Sequence, residues 1–338
     1  MIQKKFGDLW KMRVCRFHLM PNAMKLMGFG FNLALMLVWA PANAQMTVYG
    51  DDDDDYSYDS REGLEFGLNI GVYRGFEQAA YFYDGAGGHE LSDAGAQIWS
   101  IEDRLNQLRT QQPNHPVNGI LNEFPDPELY SLPLMQYTPS MMFGLKMARF
   151  WNPETAFVLH MDVVQAKAEG AWSLSTGLLP DQGQGNADVR TYSIQGREQR
   201  LMLSFGYRTS IYITEGLTWV FELGGMANAV SVEENFIVMS QQDMGNSNLQ
   251  VALLTAPGTG AGGALNPASN VLTQWGMGAY SSLGIGVDFE EGGSIELNVR
   301  VSRDAIHLGT ESFKGQNLAA FLTWMIPSQL GDFVRASF

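Results

Sequence analysis

The chain has 338 residues, 45 % of them hydrophobic and 12 % aromatic, with 37 glycines and a formal net charge of −15. That length allows one large or two ordinary domains, and the hydrophobic share is that of a globular protein. Residues 1–44 hold six basic residues (Lys4, Lys5, Lys11, Arg13, Arg16, Lys25) against Asp8, leaving 15 basic and 35 acidic residues beyond them, a net of −20 that repels phosphates and argues against a nucleic-acid partner.

The N-terminus accounts for the asymmetry. An apolar run from Met27 to Ala40 follows Lys25 and ends in Pro41-Ala42-Asn43-Ala44 before Gln45. Small residues at positions −3 and −1 of a cut after Ala44 (Ala42 and Ala44) fit a secretory signal peptide over residues 1–44. The run is too short for a spanning helix, which needs ~20 apolar residues. Either Met1 or Met24 can serve as the start, because Met24-Lys25 is itself an ordinary beginning for such a leader. The only cysteine, Cys15, lies in this segment, so the exported chain has no disulfide, no thiol and no lipidated cysteine. It also lacks an apolar run of ~18 residues, so an exported protein of this kind is either soluble or a β-barrel.

Residues 45–62 read as an acidic periplasmic tail. Asp51 to Asp55 stand in succession before Tyr56-Ser57-Tyr58-Asp59. Clustered carboxylates suit calcium, but the spacing matches no calcium loop, and a like-charge run is ordinarily a solvated tail.

From Leu64 onward the chain resolves into eight segments with period-two apolar alternation. Leu64, Phe66, Leu68, Ile70 and Val72 alternate with glycines, Glu65 and Asn69 in the first. The second runs over Met141–Phe150, the third carries Phe157, Leu159, Met161 and Val163, and the fourth Leu201, Leu203, Phe205 and Tyr207. Trp219, Phe221 and Leu223 mark the fifth, Leu283 to Phe289 the sixth and Ile295 to Val301 the seventh. The eighth, Leu318–Ile326, is mostly apolar on both faces, which leaves its register open. The connections after strands two, four and six are short, and those after one, three, five and seven are expected to be long, at roughly 60, 15–25, 35 and 12 residues. Short turns on one side and long loops on the other predict an all-β, eight-stranded antiparallel up-and-down transmembrane barrel over residues 63–326 in a bacterial outer membrane.

Two side-chain groups follow from that register. Trp151, Phe157, Tyr212, Trp219, Phe289 and Trp324 sit beside short turns and would form an interfacial girdle on the inner side. The faces opposite the apolar ones carry Glu65, Lys146, His160, Asp162, Arg200, Arg208, Glu222, Asp288, Glu296 and Arg300. An eight-stranded lumen is only wide enough for side chains, so these are expected to form a charge-paired plug rather than an open pore.

The signal peptide, eight alternating strands, charged lumen and inner girdle resemble small outer-membrane barrels of the outer membrane protein A transmembrane-domain type. The resemblance is architectural and implies anchoring, adhesion or partner binding, with no catalytic residues to carry over. Phe338 matches the terminal phenylalanine of many such barrels, but Pro327 follows the last strand and a tail over 327–338 intervenes, so Trp324 is an alternative equivalent.

The first external loop, about 76–137, is long enough to be functional. Ser92 and Asp93 could cap a helix through about Leu108, with Ile98, Ile101, Leu105 and Leu108 at helical spacing and Gln112-Pro113 ending it. Phe124-Pro125-Asp126-Pro127 reads as rigid and extended. The third loop, about Met239 to Val271, is rich in Gly, Asn, Ala and Ser and reads as mobile.

No cofactor or metal is expected, since no His-x-x-x-His is present and the exported chain has no cysteine. Ser302, Asp304 and His307 lie together in sequence where a lipid-modifying site could sit, but no nucleophile elbow accompanies them. The composition and pattern therefore point to a non-enzymatic barrel with a structural or partner-binding role, for instance as one subunit of an outer-membrane complex. Its partners would be outer-membrane lipid and a protein docking at loop one or at the acidic tail. A narrow channel or transporter for small or apolar molecules is the alternative, and a lipid-modifying barrel the third reading.

Overall fold

In the computed structural model the described residues are 63–87, 89–90, 97–122, 128–131, 133–175, 189–214, 216–240, 248–255, 274–289 and 293–326. The leader, both tails, the Asp51–Asp55 run and the Phe124–Pro127 stretch fall outside them.

Fourteen strands are present among these residues: β1 (Gly63–Arg74), β2 (His89–Glu90), β3 (Gln97–Ile98), β4 (Glu128–Ser131), β5 (Gln136–Thr138), β6 (Ser140–Asn152) and β7 (Thr155–Ser175), followed by β8 (Val189–Thr214), β9 (Leu217–Ser240), β10 (Asn248–Ala252), β11 (Leu254–Thr255), β12 (Gln274–Asp288), β13 (Ser294–Leu308) and β14 (Glu311–Met325). Eight of them close a ring in the order β1-β6-β7-β8-β9-β12-β13-β14 and back to β1, every pair antiparallel.

The ladders fix the size of that ring. Starting at Leu217, the paired residues run through Val287, Ile295, Trp324, Leu68, Leu145, Met161 and Leu203 and return to β9 at Ala227, ten residues from the start. A stagger of ten over eight strands tilts them by roughly 40° and sets a backbone radius of roughly 8 Å. Nothing wider than packed side chains fits inside. The register of the last strand, which its sequence left open, is set by Leu68 on one side and Ile295 on the other, both facing Trp324.

Outward side chains form an apolar belt. Phe66, Leu68, Ile70 and Val72 on β1, Leu283, Ile285 and Val287 on β12 and Ile295, Leu297, Val299 and Val301 on β13 are all exposed. Water does not tolerate so much contiguous apolar surface, whereas a closed barrel in hydrocarbon leaves no backbone group unpaired. The chain is thus a membrane-spanning barrel of the outer-membrane type. No helix among the described residues is long and apolar enough to cross a membrane.

Three strands go far beyond the belt. β7, β8 and β9 have 21, 26 and 24 residues, against the ~9–11 needed to span. Their side-chain parity continues, but its polarity inverts. On β7 the outward residues change from Phe157, Leu159, Met161 and Val163 to Gln165, Lys167 and Glu169, while Ala166, Ala168, Trp172 and Leu174 become the buried inward set. The wall therefore leaves lipid near Val163 and continues as a water-exposed sheet with an ordinary apolar core.

Loop one fills that extension. It contains α1 (Glu77–Ala80), a 3-10 turn (Tyr81–Tyr83), α2 (Ile101–Gln111) and α3 (Pro116–Leu121). The helix expected to start after Ser92 or Asp93 begins instead at Ile101, because Ser100 is the cap: its Oγ accepts from the Asp103 amide at 3.0 Å. Ile98 belongs to β3, whereas Ile101, Leu105 and Leu108 form the buried face. His115 caps α3 in the same way, Nδ1 accepting from the Val117 amide at 3.2 Å.

Two loop expectations are corrected. The connection between β13 and β14 is not a loop of roughly twelve residues but a tight hairpin through Gly309, at φ 59°, because both strands continue past the belt to Leu308 and Glu311. Within the third loop, Asn248–Ala252 pairs with β9 as β10, so that part is an ordered strand where its composition suggested mobility.

Leu297 is 62 % exposed in the belt. Leu297→Arg should cost about 2–4 kcal/mol if it sits at the bilayer midplane, read as a shift in urea unfolding from lipid vesicles. Burial lowers the His115 pKa, so its folded value lies below the unfolded one. The cap is intact above the ordinary histidine range and lost as pH falls through the folded value. The protection factor of the Val117 amide, its exchange rate taken against the intrinsic rate at each pH, should accordingly fall on acidification, while that of Asp103 stays constant.

Candidate functional site

The lumen is built in layers by the inward residues of the ring. At the end with the short turns, Ala148, Phe150, Ala156, Val158 and Met325 make an apolar floor. Above it lies a fully buried ion cluster. Lys146 Nζ bonds Glu296 Oε2 at 2.8 Å and lies 2.7 Å from Glu222 Oε1, close but off the hydrogen-bond line. Arg208 Nη1 reaches Glu296 Oε1 at 2.5 Å and stands over the Phe150 ring. His160 Nε2 is 2.9 Å from Glu222 Oε2. Arg300 Nη1 donates to Asp162 Oδ2 at 2.7 Å, its plane held between Tyr280 and Phe321 at 5.0 and 4.7 Å. Neutral side chains complete the set: Asn69 Nδ2 donates to Asp162 Oδ1 at 2.9 Å, and Thr323 Oγ1 donates to Asn69 Oδ1 at 2.8 Å.

The charges balance. Lys146, Arg208 and Arg300 face Asp162, Glu222 and Glu296, drawn from β6, β7, β8, β9 and β13. Lys146 links β6 to β9 and β13, strands that are not its neighbours in the ring. The cluster therefore ties opposite walls together across the lumen. Of the remaining lumen-facing charges, Glu65 and Asp288 are half-buried at the short-turn ends of β1 and β12, and Arg200 belongs to a different layer.

That layer is the junction with loop one. Arg200 Nε donates to Glu198 Oε1 at 2.5 Å and Nη1 to the Tyr73 hydroxyl at 2.8 Å, and its plane covers the Tyr137 ring at 4.8 Å. Tyr83 Oη donates to Glu198 Oε2 at 2.6 Å and Tyr137 Oη to Glu198 Oε1 at 3.1 Å. Burial, followed by the Glu198 carboxylate, pushes both phenols well above their ordinary pKa, so both stay protonated and both donate. Tyr83 packs onto Gly196, where a Cβ would overlap its ring. One carboxylate on the wall thus holds the 3-10 turn and β5 at once. A second tie lies nearby: Asn317 Oδ1 accepts from the Phe76 amide at 3.1 Å, and Asn228 and Asn317 both donate to Asp304.

Glu198, Asn228 and Asn317 were not singled out from the sequence, and Asp304 was read there only beside Ser302 and His307. Glu198 and Arg200 form an i, i+2 opposite-charge pair on one strand face, a readable signal in a segment whose outward residues had ceased to be apolar. Between the two polar layers Tyr73, Met142, Met202 and Met226 border a cavity of about 10 Å³, room for roughly one water.

Ser302, Asp304 and His307 do not converge. Ser302 and Asp304 point inward, where Ser302 Oγ donates to Asp304 at 3.2 Å, whereas His307 is on the outward face. The aromatic residues Trp151, Phe157, Tyr212, Trp219, Phe289 and Trp324 are exposed near the ends bearing short turns. Trp151 stacks edge-on with Phe157 at 4.6 Å, and Phe205 and Tyr207 extend the group.

No family model and no curated protein matches the chain. Solved structures similar to parts of it include Ail, the attachment invasion locus protein of Yersinia pestis, in complex with the heparin analogue sucrose octasulfate, at 8 % identity and TM-score 0.28 over 78 % of this chain and 99 % of that one. Another is the outer membrane protein OprG from Pseudomonas aeruginosa, at 10 % identity and TM-score 0.27 over 79 % and 94 %. At such scores the fold assignment rests on the closed ladder itself.

Lys146→Met leaves Glu222 and Glu296 buried beside one cation fewer. It should destabilise the barrel by about 3–5 kcal/mol, measured as urea midpoint in vesicles. Adding Glu222→Gln should recover part of that loss, since the orphaned charge is the main cost.

Proposed function

We propose that the protein is a non-enzymatic barrel of a bacterial outer membrane that anchors an outward-projecting, capped β-structure with a structural or partner-binding role. The closed lumen carries this reading. The apolar floor, the balanced ion cluster and loop one lie across the barrel at three levels, and the cavity bordered by Tyr73, Met142, Met202 and Met226 is about 10 Å³. A conduit has no use for a wall three strands of which double the length needed to span, whereas a platform does. Loop one and the extensions of β7, β8 and β9 are the surface such a role would use. Asp304 faces inward and His307 outward, which supports the non-enzymatic reading.

Purified full-length protein in planar bilayers should give no discrete current steps. Regular single-channel openings in the wild-type protein would replace this reading with that of a channel. Gly196→Val provides the contrast: it displaces Tyr83, and the heat-modifiable barrel should persist while loop one becomes open to trypsin.

A further inference from the structure

The outer rim of the belt is chemically lopsided. Moving outward along five of the eight wall strands, the last apolar residue is followed by a polar one: Val72 by Arg74, Val163 by Gln165, Leu201 by Gln199, Val301 by Arg303 and Leu318 by Gln316. On β7, β8 and β9 the cations Lys167 and Arg197 beyond this line are matched, with Lys167 beside Glu169 at 2.5 Å and Arg197 beside Glu234 at 3.3 Å, and Gln165 donates to Glu233 at 2.8 Å. On β13 and β14 the cations are not matched. Arg303 and Lys314 are exposed on the outward face, and neither meets a carboxylate among the described residues. Arg74, on the adjoining strand β1, has only the exposed pair with Glu77 at 3.1 Å, worth little in water. The carboxylate of Glu311, farther out at the hairpin, is engaged by His89 at 2.8 Å.

Geometry places these cations over one spot. Arg303 pairs with Gln316, so Lys314 is its diagonal neighbour, roughly 7–8 Å away, and Arg74 pairs with Leu318 on the other flank of β14. Directly beneath them Val301, Leu318 and Val72 are exposed apolar side chains of the belt. Unmatched cations in a chain this acidic, set one residue step above a lipid-facing wall, complement a ligand that carries negative charge at the interface and hydrocarbon below it.

We propose that Arg303 and Lys314, with Arg74 at the edge, form a headgroup site for a phosphate-bearing lipid of the outer leaflet, whose acyl chains lie along Val301, Leu318 and Val72. The site rests on the membrane-spanning orientation proposed above, with the β13–β14 hairpin outward. Long basic side chains can reach down to the phosphate while their stems cover the belt's edge.

The test uses the full chain refolded into phosphatidylcholine vesicles doped with fluorescent diphosphorylated lipid A or with the same lipid stripped of phosphate. Insertion is scored separately by heat-modifiable gel mobility, and lipid retained per barrel is counted after transfer to mild detergent. The wild-type protein should retain the phosphorylated lipid, and Arg303→Gln/Lys314→Gln should lower retention by about tenfold or more with insertion unchanged. Equal retention by wild type and variant, or equal retention of the two lipids, would overturn the site while leaving the barrel reading intact. Displacement of the lipid by millimolar inorganic phosphate would reassign the cations to a free anion and likewise overturn it. Failure to insert into either vesicle would remove the orientation on which the site depends, and the site with it.

Discussion

Everything in this molecule follows from closing eight strands with a stagger of ten. Closure satisfies the backbone in a solvent that offers no hydrogen bonds, and the stagger sets a radius of roughly 8 Å. At that radius opposite walls are within one side chain of each other, so whatever faces inward must find its partner inside. Lys146 meets Glu222 and Glu296 from across the lumen, so that three cations and three carboxylates share a small volume in opposite-charge contact. A buried ion cluster of this kind is poor as a source of net stability but strict about geometry: each charge is tolerable only while its partner is in register. The glycines among the inward residues serve the same end. A Cβ at Gly144 would collide with the Asp162 carboxylate, and one at Gly206 with the Tyr280 hydroxyl.

The outer half obeys a different rule. Once the wall clears the membrane, the barrel needs an apolar filling, and it takes one from its own first loop. Tyr83, Tyr137 and the Phe76 amide bind the wall through Glu198 and Asn317, so the cap is held by directional bonds as well as by packing. The result is one chain with two interiors: polar and paired where the outside is lipid, apolar and plugged where the outside is water.

The spanning half was legible in the sequence because lipid demands an outward apolar residue at every second position, and Phe157 to Val163 or Ile295 to Val301 display that demand without interruption. The extension was not, although its alternation is equally regular. From Gln165 onward the apolar residues of β7 are Ala166, Ala168, Trp172 and Leu174, the opposite parity, so a search for lipid-facing positions ends where the strand continues. The same inversion hid Glu198 and made the β13–β14 hairpin resemble a loop. The α2 start was missed for a local reason: Ser92, Asp93 and Ser100 are all competent caps, and only the pairing of Gln97–Ile98 as β3 excludes the earlier ones. In the lumen, which charges face inward was readable from parity, whereas which carboxylate each cation meets depends on the stagger, a property of the ring and of no single strand.

The polarity inversion along β7, β8 and β9 also bears on assembly. Unrolled, the sheet is greasy on one face at one end and on the opposite face at the other, so a flat form has no orientation that suits water and none that suits a bilayer. Partial curling does not help, because the inner charges lack their cross-lumen partners until the final seam between β1 and β14 is made. The seam is therefore the step that turns an ill-suited ribbon into two well-solvated halves, so closing the ring and burying the inner charges belong to one cooperative event.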